Sequence, residues 1–358
     1  MKIDGKKIDN SSPCYFIADI AANHDGSLSR AIDLIHIAAE SGADAAKFQH
    51  FTAATIVSDF GFNALHEKKS HQSGWKKSVF ETYDDASLNV EWCHILQQEC
   101  KKAGISFFTS PYSIELVNLV DDYVPAFKIG SGDITWHEII RHIASKNKPV
   151  ILATGASNFD EVKKAINVAM PINSDLALLQ CNTNYTGDIE NFRFINLKVL
   201  ETYKAEFPDL ILGLSDHTSG HATVLGAVAL GAKIVEKHLT DDTSRVGPDH
   251  AFSMDQSSWR DMVDRTRELE LALGVSSKSI EENEKESVVL QRRSIRLKHN
   301  CKAGDRLNEN MVEYLRPCPV DAIKPYECGE VFGKNLAISK QAGDCLYWSD
   351  IQNERTDI

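Results

Sequence analysis

Several absences narrow the field before any motif is read. No run of about 18 consecutive apolar residues occurs, the length a bilayer-spanning helix needs, so no membrane span is expected. Positive charge is in short supply: 39 Lys and Arg stand against 51 Asp and Glu, a formal charge of −12. A general nucleic-acid-binding surface needs a basic face, so that class is set aside. Any anionic substrate must instead be held by a local cluster of lysines and backbone amides. None of the eight cysteines (14, 93, 100, 181, 301, 318, 328, 345) stands in C-x-x-C spacing. They read as reduced thiols, several of them buried, and a zinc site built from them is not expected. The opening MKIDGKKIDNSSPCYFIADI has no apolar core followed by a small-residue cleavage site, so the expected compartment is the cytoplasm. With 42% hydrophobic and 25% charged residues over 358 positions, the chain has the composition of a globular protein with a large core.

What is present is an alternation. Eight short apolar runs, CYFIADI, DAAKFQ, ISFFT, AFKIG, PVILA, LALLQ, LILGL and KIVEK, are separated by helical patterns such as SRAIDLIHIAAES and NFDEVKKAINVAM. Eight strands with eight following helices is the count of a (β/α)8 TIM barrel, here over residues 1–280. A doubly wound open sheet is the alternative, because strand count does not prove closure. Residues 50–86 are too long for an ordinary connection and contain the polar SHQSGWKKS, the make-up of a lid. The charged run 281–286 reads as a linker or a solvated helix, within a linker spanning 281–292, and 293–358 as a small β-rich domain. In that tail KAGDRL at 302–307 recurs as QAGDCL at 341–346, which suggests an internal duplication.

In such barrels chemistry sits at the C-terminal ends of the strands, and here those ends are unusually polar. They offer Asp19, then Asn23 and His24; Lys47 and Gln49; Thr109 and Ser110; Lys128, Ser131 and Asp133; Thr154. The last three add Asn182, Thr183, Asn184 and Tyr185; Ser215 and His217; Glu236 and His238. Burying this many charges without a ligand would be costly, so a binding site is expected. His217 and His238 end consecutive strands, and neutral imidazole suits a divalent transition metal; a general base beside an ordinary hydrogen-bonded histidine is the competing reading. His221 falls at a helix start and should face outward. Lys47, Lys128 and the hydroxyl groups could hold a phosphate or carboxylate dianion, or either lysine could form a Schiff base.

These residues resemble a known family. FIADIAANHDGSLSRAIDLIHIAAESGADAAKFQHF, FFTSPY, FKIGSGD, LLQCNTNY, LGLSDHT, EKHLT and GPDHAFSMD, in this order, look like the sialic acid synthases. The tail RRSIRLKHNCKAGDRLNENMVEYLRPCP resembles that family's C-terminal antifreeze-like SAF (β-clip) domain. The resemblance implies condensation of phosphoenolpyruvate with an N-acylated amino sugar to give a nonulosonic acid and phosphate. It implies a divalent metal on His217 and His238, manganese before cobalt or magnesium. Phosphoenolpyruvate would lie among Lys47, Thr109, Lys128, Ser131, Thr154, Thr183 and Ser215, with the sugar facing Gln49, Tyr185 and Asp249. It further implies a homodimer whose SAF domain crosses to the partner barrel, Arg316 before Pro317 contacting the acylamino group. Asp19 and Asp133 stand where the family commonly has glutamate, each carboxylate about one methylene shorter, and Thr183 stands where asparagine is frequent. Two rival enzymes remain: a Schiff-base aldolase, and another phosphoenolpyruvate–aldose synthase of the 3-deoxy sugar acid type. A carbohydrate-binding protein built around the tail is the non-enzymatic alternative.

Overall fold

The computed structural model describes residues 1–65, 72 and 75–352, in two compact units, Met1–Gly274 and Val275–Ile358. All eight expected strands form, each within one or two residues of its run: β1 (Tyr15–Asp19), β2 (Ala45–His50), β3 (Ser106–Pro111), β4 (Phe127–Ile129), β5 (Val150–Ala153), β6 (Leu176–Cys181), β7 (Ile211–Asp216) and β8 (Ile234–His238). They make one parallel sheet in the order β3-β2-β1-β8-β7-β6-β5-β4. Its end strands, β3 and β4, lie alongside one another without forming a ladder. The result is a near-closed (β/α)8 arrangement rather than a doubly wound open sheet.

A helix follows each strand: α1 (Leu28–Glu40), α2 (Cys93–Ala103), α3 (Ile114–Val120), α4 (His137–Ala144), α5 (Phe159–Ala169), α6 (Val199–Glu206), α7 (Ala222–Ala229) and α8 (Gln256–Leu273). Local chemistry sets their limits. Ser27 caps α1 by accepting from the Arg30 N–H, and Asn158 and Glu161 close a capping box on α5. Gly104 ends α2 at φ +75°, a conformation that costs a side-chain-bearing residue. α1 buries Ala31, Leu34, Ile35 and Ala38, the i, i+3, i+4, i+7 stripe that faces a sheet.

Strand alternation then separates two cores. Phe16, Phe48, Leu152, Leu178 and Val235 point outward into the helix layer. Tyr15, Ile17, Phe108, Leu179 and Ile234 fill the lower barrel, with Ile3 and Ile8 of an N-terminal hairpin segment packed against them. The inward positions become charged toward the C-terminal ends. Ladder register fixes their level: Asp19 lies opposite Lys47 on one side and His238 on the other, and Glu236 lies opposite Ser215.

The segment after β2 contains three short helices among its described residues, Ala53–Ile56, Asp59–Ala64 and Val79–Ala86. Part of SHQSGWKKS lies outside the described residues. No described helix is long and apolar enough to cross a membrane.

The second unit begins six residues ahead of the expected boundary, and the charged run leads into a short exposed helix, Lys285–Gln291, the solvated helix of the two readings. β9 (Ser294–Leu297) pairs antiparallel with β10 (Val312–Leu315) over a core of Ile295, Leu297, Leu307, Val312, Ile323 and Leu346. The repeated AGD is a repeated turn. Asp305 accepts from the Lys302 N–H at 2.7 Å and Asp344 from the Gln341 N–H at 2.8 Å, with Gly304 and Gly343 at φ +91° and +87°.

Candidate active site

The polar strand ends of the first unit line a cavity of about 420 Å³. Its floor is an ion cluster. Lys47 Nζ lies 2.6 Å from Asp19 Oδ2 and 3.7 Å from Glu236 Oε1, and Lys128 Nζ lies 3.3 Å from the same Glu236 oxygen. Gln49 Nε2 donates to Asp19 Oδ2 at 3.3 Å. Lys47, Asp19, Glu236 and Lys128 are all buried. Burial pulls the Lys47 ammonium down, but the Asp19 and Glu236 carboxylates outweigh it and hold its pKa above the usual lysine value.

His217 and His238 stand on the adjacent wall, ring centroids 5.5 Å apart. His217 Nδ1 is 2.8 Å from the Asn182 carbonyl, so Nδ1 carries the proton and Nε2 keeps a lone pair. His238 Nε2 lies 3.5 Å from Asp19 Oδ2. Burial lowers both imidazole pKa values, His238 well below the usual range with further help from His217 and Lys47, so both rings are neutral. Phe252 stands edge-on to His238 at 4.9 Å and to His217 at 5.8 Å, and Tyr185 packs on His217 at 4.4 Å. Among the described residues, His238 Nδ1 and Glu236 Oε2 are buried without a hydrogen-bond partner, the sort of orphan a ligand satisfies. No three described His, Cys, Asp or Glu side chains gather into a cage of their own. The two neutral imidazoles, one of them with an unpartnered ring nitrogen, fit a divalent ion that takes its remaining ligands from oxygen donors such as water or substrate.

Ser131, Asp133, Ser215, Tyr185 and Asp249 also line the cavity. Ser131 Oγ accepts from the Gly155 N–H at 2.9 Å. Asp133 is pushed up to about 6 by burial, against the pull of Lys128. Asp249 is pushed up to about 7, by burial first and by the Asp19 charge, although its Oδ2 accepts from the Ala22 N–H at 3.1 Å.

Three expected anion-site residues are not among the cavity-lining residues. Thr109 pairs with the outward Phe48, so its hydroxyl faces the helix layer, where it meets His50 Nδ1 at 2.6 Å and the Phe48 carbonyl. Thr154 bonds the Leu179 carbonyl and receives the Tyr203 hydroxyl. Thr183 turns its methyl toward Gly155, where an added Cβ would come within 2.3 Å. Arg316 belongs to the second unit, just past β10, and is exposed. His221 is half exposed, 3.1 Å from Asp261, as its helix-start position implied. Sequence reasoning placed Glu236 at a strand end without giving it a role; its position two residues before His238 on one face was the available signal. Ser110, Tyr112 and Tyr83 also line the cavity.

A profile of the NeuB family matches residues 34–278. The chain belongs to the NeuB family of sialic acid synthases. It is 34% identical over 358 residues to the N,N'-diacetyllegionaminic acid synthase of Legionella pneumophila, covering 98% of each chain. It is 33% identical over 281 residues to the human N-acetylneuraminate-9-phosphate synthase, 77% of this chain and 76% of that one. Among solved structures, the N-acetylneuraminic acid (sialic acid) synthetase of Leptospira borgpetersenii, determined with citrate, superimposes with a TM-score of 0.70 at 27% identity, over 80% of this chain and 94% of that one. Relatives whose names specify different sugars are thus almost equally similar to this NeuB family member, so overall identity does not select its acceptor.

Proposed function

We propose that this NeuB family member condenses phosphoenolpyruvate with an N-acylated amino sugar, forming a nonulosonic acid and inorganic phosphate. The observation that carries this reading is the union, in one cavity, of two buried ammonium groups and two neutral imidazoles. Lys47, Lys128, Ser131 and Ser215 hold the phosphate and carboxylate of phosphoenolpyruvate through charge-assisted hydrogen bonds. Gln49, Tyr185 and Asp249 face the open-chain sugar, with Asp249 able to donate to or accept from a hydroxyl near neutral pH. A manganese-type ion held by His217 and His238, when bound, supplies Lewis-acid polarisation of the sugar aldehyde.

C3 of phosphoenolpyruvate forms the new bond to the aldehyde carbon, whose oxygen takes up a proton. C2, left electron-poor, adds water, and Asp133 accepts that water's proton. The C2–O bond to phosphate then breaks as the new C2 hydroxyl gives its proton to the departing phosphate, giving the keto acid and free phosphate. Asp19 keeps Lys47 charged and Gln49 oriented. The raised Lys47 pKa opposes a Schiff-base mechanism through this residue, which needs a neutral amine.

We read the second unit as a SAF domain that completes the partner's site in a homodimer, with Arg316 at the acylamino group, and the cytoplasm as the compartment. The decisive experiment is phosphate release from phosphoenolpyruvate against a panel of N-acetylmannosamine, its 6-phosphate and 2,4-diacetamido-2,4,6-trideoxyhexoses, with manganese present. Release with no acceptor in that panel would sink the reading.

A further inference from the structure

Behind the wall that carries the histidines, on the helix-facing side of β7 and β8, Asp216 and Lys237 form an ion pair at 2.6 Å with side chains 0% and 1% exposed. All three ammonium protons have acceptors: Asp216 Oδ2, the Thr218 carbonyl at 2.6 Å and the Gly220 carbonyl at 3.3 Å. Asp216 Oδ2 also accepts from the Thr218 and Thr223 hydroxyls, each at 2.7 Å. Burial pushes the Asp216 carboxyl up, but Lys237 and the two hydroxyls outweigh it and hold it below the usual carboxylate range. A buried pair of this kind is weak evidence of stability, since apolar replacements often serve a core as well. Its effect is better sought in geometry.

The ladder between β7 and β8 ends at the rung Lys237–Asp216. The next residue on each strand is a histidine. Beyond that rung β8 continues only against β1, with His238 opposite Asp19. The ion pair occupies the last shared rung, and Lys237 reaches past it to Thr218 and Gly220. The chain on both sides of His217 is therefore tied to the strand that bears His238.

We propose that Asp216 and Lys237 are positioning residues that set the separation and ring orientation of His217 and His238. This rests on the reading of the two histidines as the functional pair. The test uses the full-length double variant Asp216→Asn/Lys237→Met, which leaves no lone buried charge, with a urea transition to show that it is folded. Long-range ¹H–¹⁵N spectra of histidine-labelled, metal-free protein report the His217 tautomer. The wild type should show the single Nδ1–H form that the Asn182 contact imposes, and the folded double variant a mixture. Mn²⁺ affinity measured by calorimetry should fall about 10- to 100-fold, the usual cost of removing support from a ligand, with phosphoenolpyruvate affinity without metal kept within about twofold. A folded double variant with the wild-type tautomer spectrum overturns the proposal. If the double variant does not fold, Thr218→Val/Thr223→Val, which strips the hydroxyls and keeps the pair, carries the same spectral test with the same two outcomes. Mn²⁺ titration of the wild type against His217→Ala is read separately: equal binding, or none in either, refutes the metal reading above, and the tautomer spectrum then decides the positioning claim alone.

Discussion

Lys47→Met is expected to leave two buried carboxylates without their shared cation. Asp19 Oδ2 is 2.6 Å and Glu236 Oε1 3.7 Å from the lost ammonium, and Lys47 is only 1% exposed. Breaking a buried ion pair by removing one partner costs about 3–5 kcal/mol of stability, and urea denaturation at pH 8 should show a loss of that order. The sign of the pH dependence follows from linkage. In the wild type the Lys47 pKa is raised, so its stabilisation is fully present below the unfolded lysine value and is lost only at strongly alkaline pH. In the variant Asp19 loses the ammonium that pairs with it, while Glu236 keeps Lys128 at 3.3 Å, so the uncompensated buried charge is chiefly that of Asp19 and is relieved by protonation. The penalty is therefore greatest at pH 8 and shrinks as pH falls and protons replace the ammonium. The deficit should be clearly smaller at pH 5 than at pH 8. Substrate binding gives a second measure: a hydrogen bond to a charged group is worth about 1.5–3 kcal/mol, which is about 10- to 150-fold in the phosphoenolpyruvate Kd. A loss below about 1 kcal/mol that is the same at both pH values would refute the ion-cluster argument.

Asp133, raised to about 6 by burial, is ionised above that pH, so kcat/KM should climb through pH 6 and level off; Asp133→Asn should abolish that limb in a pH–rate profile. Thr109→Val should cost about 1–3 kcal/mol in a urea transition, because it strands His50 in the helix layer, yet leave the KM for phosphoenolpyruvate unchanged; a large rise in KM would return Thr109 to the anion site. Arg316→Ala should chiefly raise the KM for the sugar, because it removes a contact remote from the reacting carbons. Mixed with His217→Ala subunits it should regain activity, since a crossed heterodimer has one site free of both lesions; no recovery after verified subunit exchange would mean that Arg316 does not act across a dimer.

The barrel was legible because eight apolar runs of strand length each end in polar residues, a pattern a core alone does not require. Alternation assigns Lys47 with Gln49 and Ser215 with His217 to one face each, but Thr109 and Ser110 read together as one strand end. Lys47 and Gln49 share the inner face; ladder pairing puts Ser110 beside Gln49 and Thr109 beside Phe48. Parity alone therefore sends Thr109 outward, and a one-residue step exchanges the faces. The same rule assigns Glu236 to the cavity with His238 and sends Asp216 and Lys237 outside. The helical insertion after β2 carried its own signal in SVFE at 78–81, where Ser78 and Glu81 form a capping box, but its polar composition read as loop.

Asp19 shows what the sequence left open about the sugar. A carboxylate one methylene short of the family's usual glutamate could have withdrawn from the ion cluster. It instead meets Lys47 at 2.6 Å, holds the Gln49 amide at 3.3 Å and comes within 3.5 Å of His238. The shorter side chain is therefore still engaged by the ammonium, at the cavity wall. Asp133 lines the same cavity, with its charge raised in cost by burial. A methylene added at Asp19 would lengthen a side chain already in contact with Lys47, Gln49 and His238, in a cavity that Asp133 also lines. An Asp19→Glu substitution is accordingly expected to change the ratio of kcat/KM values among acceptor sugars more than the KM for phosphoenolpyruvate, and the reverse pattern in the same phosphate-release assay would place Asp19 among the phosphoenolpyruvate contacts.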